Sequence, residues 1–231
     1  MPKVILFDVD NTLLSFDQCV KETMKLGFEK FSIGTYEDWM FSVFNRINAE
    51  LWRSIEQEEI DFEELKQVRW NKIFHCLNFS ADGVLFEKYF RDCLFESAIP
   101  EKGAMDLLEY LCGKYTLCVA SNGPYLQQIN RLKKSGMLPL FFDLFVSEEI
   151  GSSKPSPEFF GSCIARLNQK TGQNIQPCEV MMIGDSLSSD MAGAAAFGMQ
   201  TCFYNPENKP IPSEIKISYC ISSLTQIKSF L

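Results

Sequence analysis

Two aspartates one residue apart, Asp8 and Asp10, follow directly on the apolar run Val4-Ile5-Leu6-Phe7. A short apolar run ended by carboxylates reads as a buried parallel strand stopping at a polar edge, and that edge is where open α/β sheets place their sites. Side chains alternate along a strand, so Asp8 and Asp10 share a direction and the turn after them can converge both on one point. Converging carboxylates repel and raise a pKa unless a cation or a shared proton intervenes. Taken alone, the pair also fits a solvated strand-end turn with Asp10 or Thr12 as a cap, so the rest of the chain has to decide.

Three further polar signatures stand at comparable places: Ser121-Asn122-Gly123 after an apolar run, Lys154 within Ser153-Lys154-Pro155-Ser156-Pro157, and Gly184-Asp185-Ser186 with Asp190 just beyond. Each has an ordinary explanation by itself: a turn with an N-cap, a solvated lysine, a strand-end cap, a helix-face residue. In a parallel sheet, however, all strand C-termini share one edge, so these distant residues can meet there. The set then holds four carboxylates, one ammonium and one hydroxyl. Gathered carboxylates favour a hard divalent cation, and hydrated Mg²⁺ held by a few oxygens suits a substrate phosphate. An ionised Asp beside it is a nucleophile for phosphorus, giving an aspartyl-phosphate that water later opens. Lys154 and Ser121, with Asn122 and the turn N–H groups, are placed to bind phosphoryl oxygens. Asp10, offset from the nucleophile, can protonate the leaving alkoxide and then activate water. Phosphate-monoester hydrolysis needs large charge stabilisation, since enzymes accelerate it by up to ~10²¹.

The elements that must position these groups are legible in outline. From about Ser15 to Glu96 the pattern is helical: Trp39, Met40, Val43, Phe44, Ile47, Leu51 and Trp52 recur at helical spacing, then Phe62 to Leu77, then Leu85 to Leu94. Asp61 and Asp82 stand where N-caps belong. From Pro100 helix and strand alternate. The spacing predicts a helix near 104–112 and a strand over 115–120. A helix opened by Pro124 and ended by Gly136 follows, carrying Leu126, Ile129 and Leu132. A strand at 144–146, a loop at 147–157 and a helix to about Lys170 come next, then a strand at 180–183. A small-residue helix over 191–198 and strands near 201–203 and 218–221 complete the pattern. Such alternation means an α/β fold, a Rossmann-like doubly wound parallel sheet, with an all-helical insert. The expected domains are 1–15 with 97–231 for the core and 16–96 for the insert.

With 22 basic and 30 acidic residues the formal charge is −8 and the pI near 4.8, which argues against partners such as a nucleic-acid polymer or an anionic membrane. An anionic small substrate then needs a local positive device. Nine scattered cysteines without a CxxC pair read as small core residues of a reducing compartment. No signal-peptide pattern or membrane span is evident, which fits a cytoplasmic protein. The expected partner is a small phosphorylated metabolite, and the expected state a monomer or small homo-oligomer. His75, the only histidine, lies among apolar residues and reads as structural.

Asp8-Val9-Asp10-Asn11-Thr12, Ser121, Lys154-Pro155 and Gly184-Asp185-Ser186-Leu187-Ser188-Ser189-Asp190 together resemble the four ordered motifs of the haloacid dehalogenase superfamily. The resemblance implies Asp8 as nucleophile, Asp10 as acid/base, and Ser121 and Lys154 as phosphate binders. It implies Mg²⁺ held by the Asp8 carboxylate, the Asp10 carbonyl and Asp185, with Asp190 as ligand or supporting residue. The helical insert matches the position of the C1 cap, which closes over the site and excludes bulk water. Dehalogenase members lack the second aspartate, so Asp10 argues against that chemistry, whereas sugar-phosphate phosphatases and mutases keep it. A non-catalytic binder of the same fold would be expected to have lost Asp8 or Asp10. Within the insert, Asn48-Ala49-Glu50-Leu51-Trp52, Glu58-Glu59-Ile60 and Arg69, with Ser15-Phe16-Asp17 before it, look like the bacterial pyrimidine 5′-nucleotidase branch. This implies a nucleoside 5′-monophosphate substrate touched by Asp17, Asn48, Trp52 and Arg69, while by themselves Trp52 and Asn48 also fit packing within the insert and Arg69 a solvated or ion-paired helix residue.

Overall fold

The computed structural model describes residues 2–231. In chain order, β1 (Val4–Phe7) leads into α1 (Phe16–Lys30), α2 (Asp38–Glu56), α3 (Phe62–Cys76), α4 (Gly83–Glu96) and α5 (Ala104–Leu111). Then come β2 (Thr116–Ser121), α6 (Tyr125–Lys134), β3 (Asp143–Val146), α7 (Ser147–Ile150), α8 (Pro157–Thr171), β4 (Val180–Gly184), α9 (Gly193–Ala196), β5 (Gln200–Tyr204) and β6 (Tyr219–Ile221). The chain divides into two compact units, Met1–Ser15 with Ala98–Leu231, and Phe16–Ser97.

In the first unit the six strands lie in the order β3-β2-β1-β4-β5-β6, every neighbouring pair parallel. β1 is central because its four residues are buried on both faces, as a covered parallel strand requires. Alternation sends Val4 and Leu6 to one apolar layer with Phe159, Phe160, Cys163 and Leu167 of α8. Ile5 and Phe7 go to the other, with Ala104, Leu107, Leu108 and Leu111 of α5. The sheet order reverses at β1, with β2 on one side and β4 on the other, so the crevice beyond their C-terminal ends is the switch point. Register pairs Phe7 with both Val119 and Ile183, which brings the ends of these three strands level. The two chain crossings into the insert run side by side: Ser15 N donates to Ile99 O at 2.8 Å and Glu101 N to Leu13 O at 2.9 Å.

The second unit is all helical. Phe28, Phe44, Trp70, Phe74, Phe86 and Phe90 form its core, with the Trp70 and Phe86 ring centroids 4.4 Å apart. Asp61 starts α3 through a capping box: Glu64 N donates to Asp61 Oδ1 at 2.8 Å, and Asp61 N to Glu64 Oε2 at 3.0 Å. Asp82 caps α4 by accepting from Leu85 N at 2.9 Å.

Several expectations change. The loop over 147–157 begins with the helical turn α7, and the small-residue helix begins earlier, with a π-helical turn over Leu187–Ala192 preceding α9. α6 buries Leu132 in the core but not Leu126, which is 71% exposed, while Gln127, Gln128 and Arg131 are buried. His75 is exposed in the last turn of α3, and only Cys19, Cys118, Cys163 and Cys202 of the nine cysteines are buried. No helix among the described residues is long and apolar enough to cross a membrane.

Candidate active site

β1 delivers Asp8 to the switch point, where Asp8 N donates to Ile183 O at 2.9 Å and so keeps the pairing with β4 one residue beyond the strand. The turn that follows bends through Asn11 at φ 57°, a left-handed position that Asn tolerates better than most residues. The end of β4 brings Asp185 in, and the Leu187–Ala192 turn returns Asp190 beneath it. There Ser186 N donates to Asp190 Oδ2 at 3.1 Å. Gly184 makes this possible, because a Cβ at that position would collide with the Asp190 carboxylate.

Lys154 ties the set together. It is 2% exposed, and its ammonium donates to Asp8 Oδ1 at 2.7 Å, Asp190 Oδ1 at 2.6 Å and Ala120 O at 2.7 Å. Its three protons are thus all engaged, which makes it a fixed charge beside Asp8. The loop that carries it is clamped by Asn122: Lys154 N donates to Asn122 Oδ1 and Asn122 Nδ2 to Lys154 O, both at 2.9 Å. Asn122, expected among the phosphate binders, therefore has both ends of its amide occupied in holding Lys154. The Lys154-Pro155 peptide is cis, and Ser156 then caps α8.

The Asp8, Asp185 and Asp190 carboxylates each offer an oxygen within 4.8 Å of the others. Burial pushes the Asp8 carboxyl up to about 7; neighbouring Asp190 and Asp10 add to the rise and Lys154 opposes it. Asp185 lies well above the usual carboxylate range, from burial and then from Asp8 and Asp190. Burial works against the Lys154 charge too, yet Asp190 and Asp8 outweigh it and hold its pKa above the ordinary lysine value. The Asp10 carboxylate is held by partners of its own on α6. Its Oδ1 accepts from Arg131 Nη1 at 2.5 Å and its Oδ2 from Gln128 Nε2 at 2.8 Å. With every group ionised, four carboxylates outnumber the two cations paired directly with them, Lys154 and Arg131, and Lys209 also acts on Asp185. A divalent cation would offset the remaining negative charge, and an all-oxygen donor set suits Mg²⁺.

Ser121 ends β2 and is 1% exposed; its Oγ accepts from Gly123 N at 3.1 Å and Gln128 Nε2 at 3.0 Å. Gln128 and Arg131 escaped the sequence reading. The available signal was their i, i+3 spacing on the helix opening just after Ser121, which gives α6 one polar side chain per turn on the face of Leu132.

In the helical unit the polar atoms of Arg69 are turned inward. Its Nε and Nη2 donate to the two carboxylate oxygens of Glu87 at 3.0 and 2.5 Å, and Nη1 to Asn48 Oδ1 at 3.0 Å. Arg69 and Glu87 are 3% and 2% exposed, and the guanidinium also lies 4.7 Å from the Phe90 ring centre. Arg69 and Asn48 thus bind each other, Arg69 buried and Asn48 half-buried, which is the ion-paired and packing alternative that the sequence left open. Trp52 is half-buried, its ring 6.0 Å from Phe62, and Asp17 is half-buried in the first turn of α1.

A family model described as haloacid dehalogenase-like hydrolase matches residues 2–198. YfnB of Bacillus subtilis, named as a HAD-hydrolase, is 34% identical over 229 residues, covering 99% of this chain and 95% of that protein. Its magnesium-bound crystal structure superposes with a TM-score of 0.89, covering 100% of this chain and 98% of that one. The pyrimidine 5′-nucleotidase PynA of Streptococcus pneumoniae is 32% identical over 228 residues (96% and 91% of the two chains). The pyrimidine 5′-nucleotidase YjjG of Escherichia coli is 29% identical over 229 residues (98% and 96%). An aspartate pair at the switch point of a parallel sheet, joined by a buried lysine to a second acidic turn, thus coincides with a family match over most of the chain, and the protein belongs to the haloacid dehalogenase-like hydrolases.

Proposed function

We propose that this hydrolase cleaves small phosphomonoesters with Mg²⁺ through an Asp8 aspartyl-phosphate, and that its substrates are nucleoside 5′-monophosphates, pyrimidines first. The observation that carries the reading is the separation of two carboxylates that start one residue apart. Asp8 is held by Lys154, and Asp10 by Arg131 and Gln128. One group is set to attack and the other to move a proton.

Asp8 and Asp185 would hold the metal, with Asp190 behind them bonded to Lys154 and Ser186 N. When bound, Mg²⁺ supplies the charge that draws in the phosphate dianion and neutralises the transition state. Lys154 occupies Asp8 Oδ1, which leaves Oδ2 for phosphorus. As that bond forms, the bond from phosphorus to the leaving oxygen breaks, and the proton of the Asp10 carboxyl goes to the departing alkoxide. Asp10 then takes a proton from water, whose oxygen attacks phosphorus and releases phosphate and Asp8. Ser121 holds a phosphoryl oxygen through both steps.

The helical unit is proposed as the cap of this enzyme, its place in the chain being the one the family resemblance gives. The pyrimidine preference is supported by the likeness to PynA and YjjG. Asp17, Asn48, Trp52 and Arg69 are proposed as the cap's substrate contacts, with Arg69 also holding Asn48 and Glu87. The test is phosphate release from a panel of nucleoside monophosphates, sugar phosphates and an aryl phosphate in Mg²⁺. Release led by UMP, CMP and TMP supports the reading; release led by sugar phosphates overturns the nucleotide assignment.

A further inference from the structure

We infer that Gln128 and Arg131 are positioning residues of this site: Gln128 turns the Ser121 hydroxyl into a donor for the phosphoryl group, and Arg131 fixes the Asp10 carboxylate. The inference deepens the phosphatase reading and rests on it.

A hydroxyl has one proton and two acceptor lone pairs. Ser121 Oγ receives two N–H donors, from Gly123 N and Gln128 Nε2. Both lone pairs are filled, so the hydroxyl proton points to a third group, and at this edge that group is an anionic ligand. Gln128 Nε2 has two protons, one for Ser121 and one for Asp10 Oδ2, while its Oε1 accepts from Arg131 Nη1 at 3.2 Å. The amide has only one sense: reversed, its oxygen would face the Asp10 carboxylate and its NH₂ the guanidinium. Both side chains are fully buried, where a polar group is retained only with its partners in place. Gly123 makes room for this arrangement. A Cβ there would collide with Gln128 Nε2 and lie 3.0 Å from its Cδ. The network therefore links the phosphate-holding group to the proton-transferring one through a single side chain.

Gln128→Glu keeps the shape and the acceptor for Arg131 but offers Ser121 a carboxylate oxygen, so the hydroxyl turns to donate to it. Gln128→Met removes the donor without adding charge and serves should Gln128→Glu fold poorly. Expected are melting temperatures showing a folded protein, weaker protection by inorganic phosphate with Mg²⁺ in a thermal-shift titration, and a KM raised about 10-fold, in the order Glu worse than Met. Arg131→Met should lower kcat for a nucleoside monophosphate about 10-fold more than for an aryl phosphate at unchanged KM, with part recovered in Arg131→Lys. Wild-type phosphate affinity in a folded Gln128→Glu overturns the Ser121 part. An unchanged alkyl-to-aryl ratio in Arg131→Met overturns the Asp10 part, and losses that track only the folded fraction overturn both. If the wild-type protein releases no phosphate from any ester, the phosphatase reading fails, whereas the phosphate titration still decides the Ser121 part.

Discussion

Asp8 carries a carboxyl whose protonation is displaced upward to about 7 by burial, and the displacement has a sign in stability. An unfolded Asp titrates near 4, so between about pH 4 and pH 7 the metal-free folded state holds a proton that the unfolded state has released. The Asp8 contribution is therefore fully present below pH 4 and lost as pH rises through 7. In EDTA, Asp8→Asn should gain melting temperature relative to wild type as pH goes from 4 to 7. A difference flat with pH, or one falling as pH rises, would contradict the assignment. Lys154 makes a complementary case, because without it Asp8 and Asp190 remain close together and unneutralised. Lys154→Met should cost roughly 3–5 kcal/mol in a urea titration of the metal-free protein, the usual cost of breaking a buried pair. A loss under about 1 kcal/mol would mean the ammonium carries no structural charge.

At the scale of elements, strands were easier to read than the polar faces of helices. β1, β2 and β4 are apolar runs that stop at a polar residue, so Asp8, Ser121 and Asp185 could be located by where the runs end. α6 departs in part from the rule that a helix buries its apolar side: Leu132 joins the core, but Gln128 and Arg131 are inside and Leu126 is outside, because that face also meets the charged site. Arg69 likewise left open in sequence both a substrate contact and an ion-paired helix position. What turned it inward was Glu87 on α4, a pairing across 18 residues that no local pattern displays. Arg69→Met alone should cost about 3–5 kcal/mol by stranding Glu87, while Arg69→Met with Glu87→Leu should lie near wild type, since apolar side chains can replace a buried pair. Equal losses in the single and double variants, measured by chemical denaturation, would show that the pair is not the unit that matters.

For the whole molecule, a chain of net charge −8 concentrates at one sheet edge carboxylates that outnumber the cations paired directly with them. Mg²⁺ should accordingly raise the melting temperature at pH 7 and do so less at pH 5, where protons compete for Asp8 and Asp185. Equal shifts at both pH values would place cation binding elsewhere. The parallel sheet and its helical insert were legible because the hydrophobic period changes at Pro100, and the four motifs were legible because each closes or follows a strand. What was not legible is which partners hold Asp8 and Asp10 apart, since that depends on which side chains of α6 and of the Lys154 loop reach them. The most direct measurement is phosphate release from UMP and from an aryl phosphate by wild type and Asp8→Asn, each in Mg²⁺ and in EDTA. The account predicts release only by wild type with Mg²⁺. Turnover by a folded Asp8→Asn, or turnover undiminished in EDTA, would contradict it.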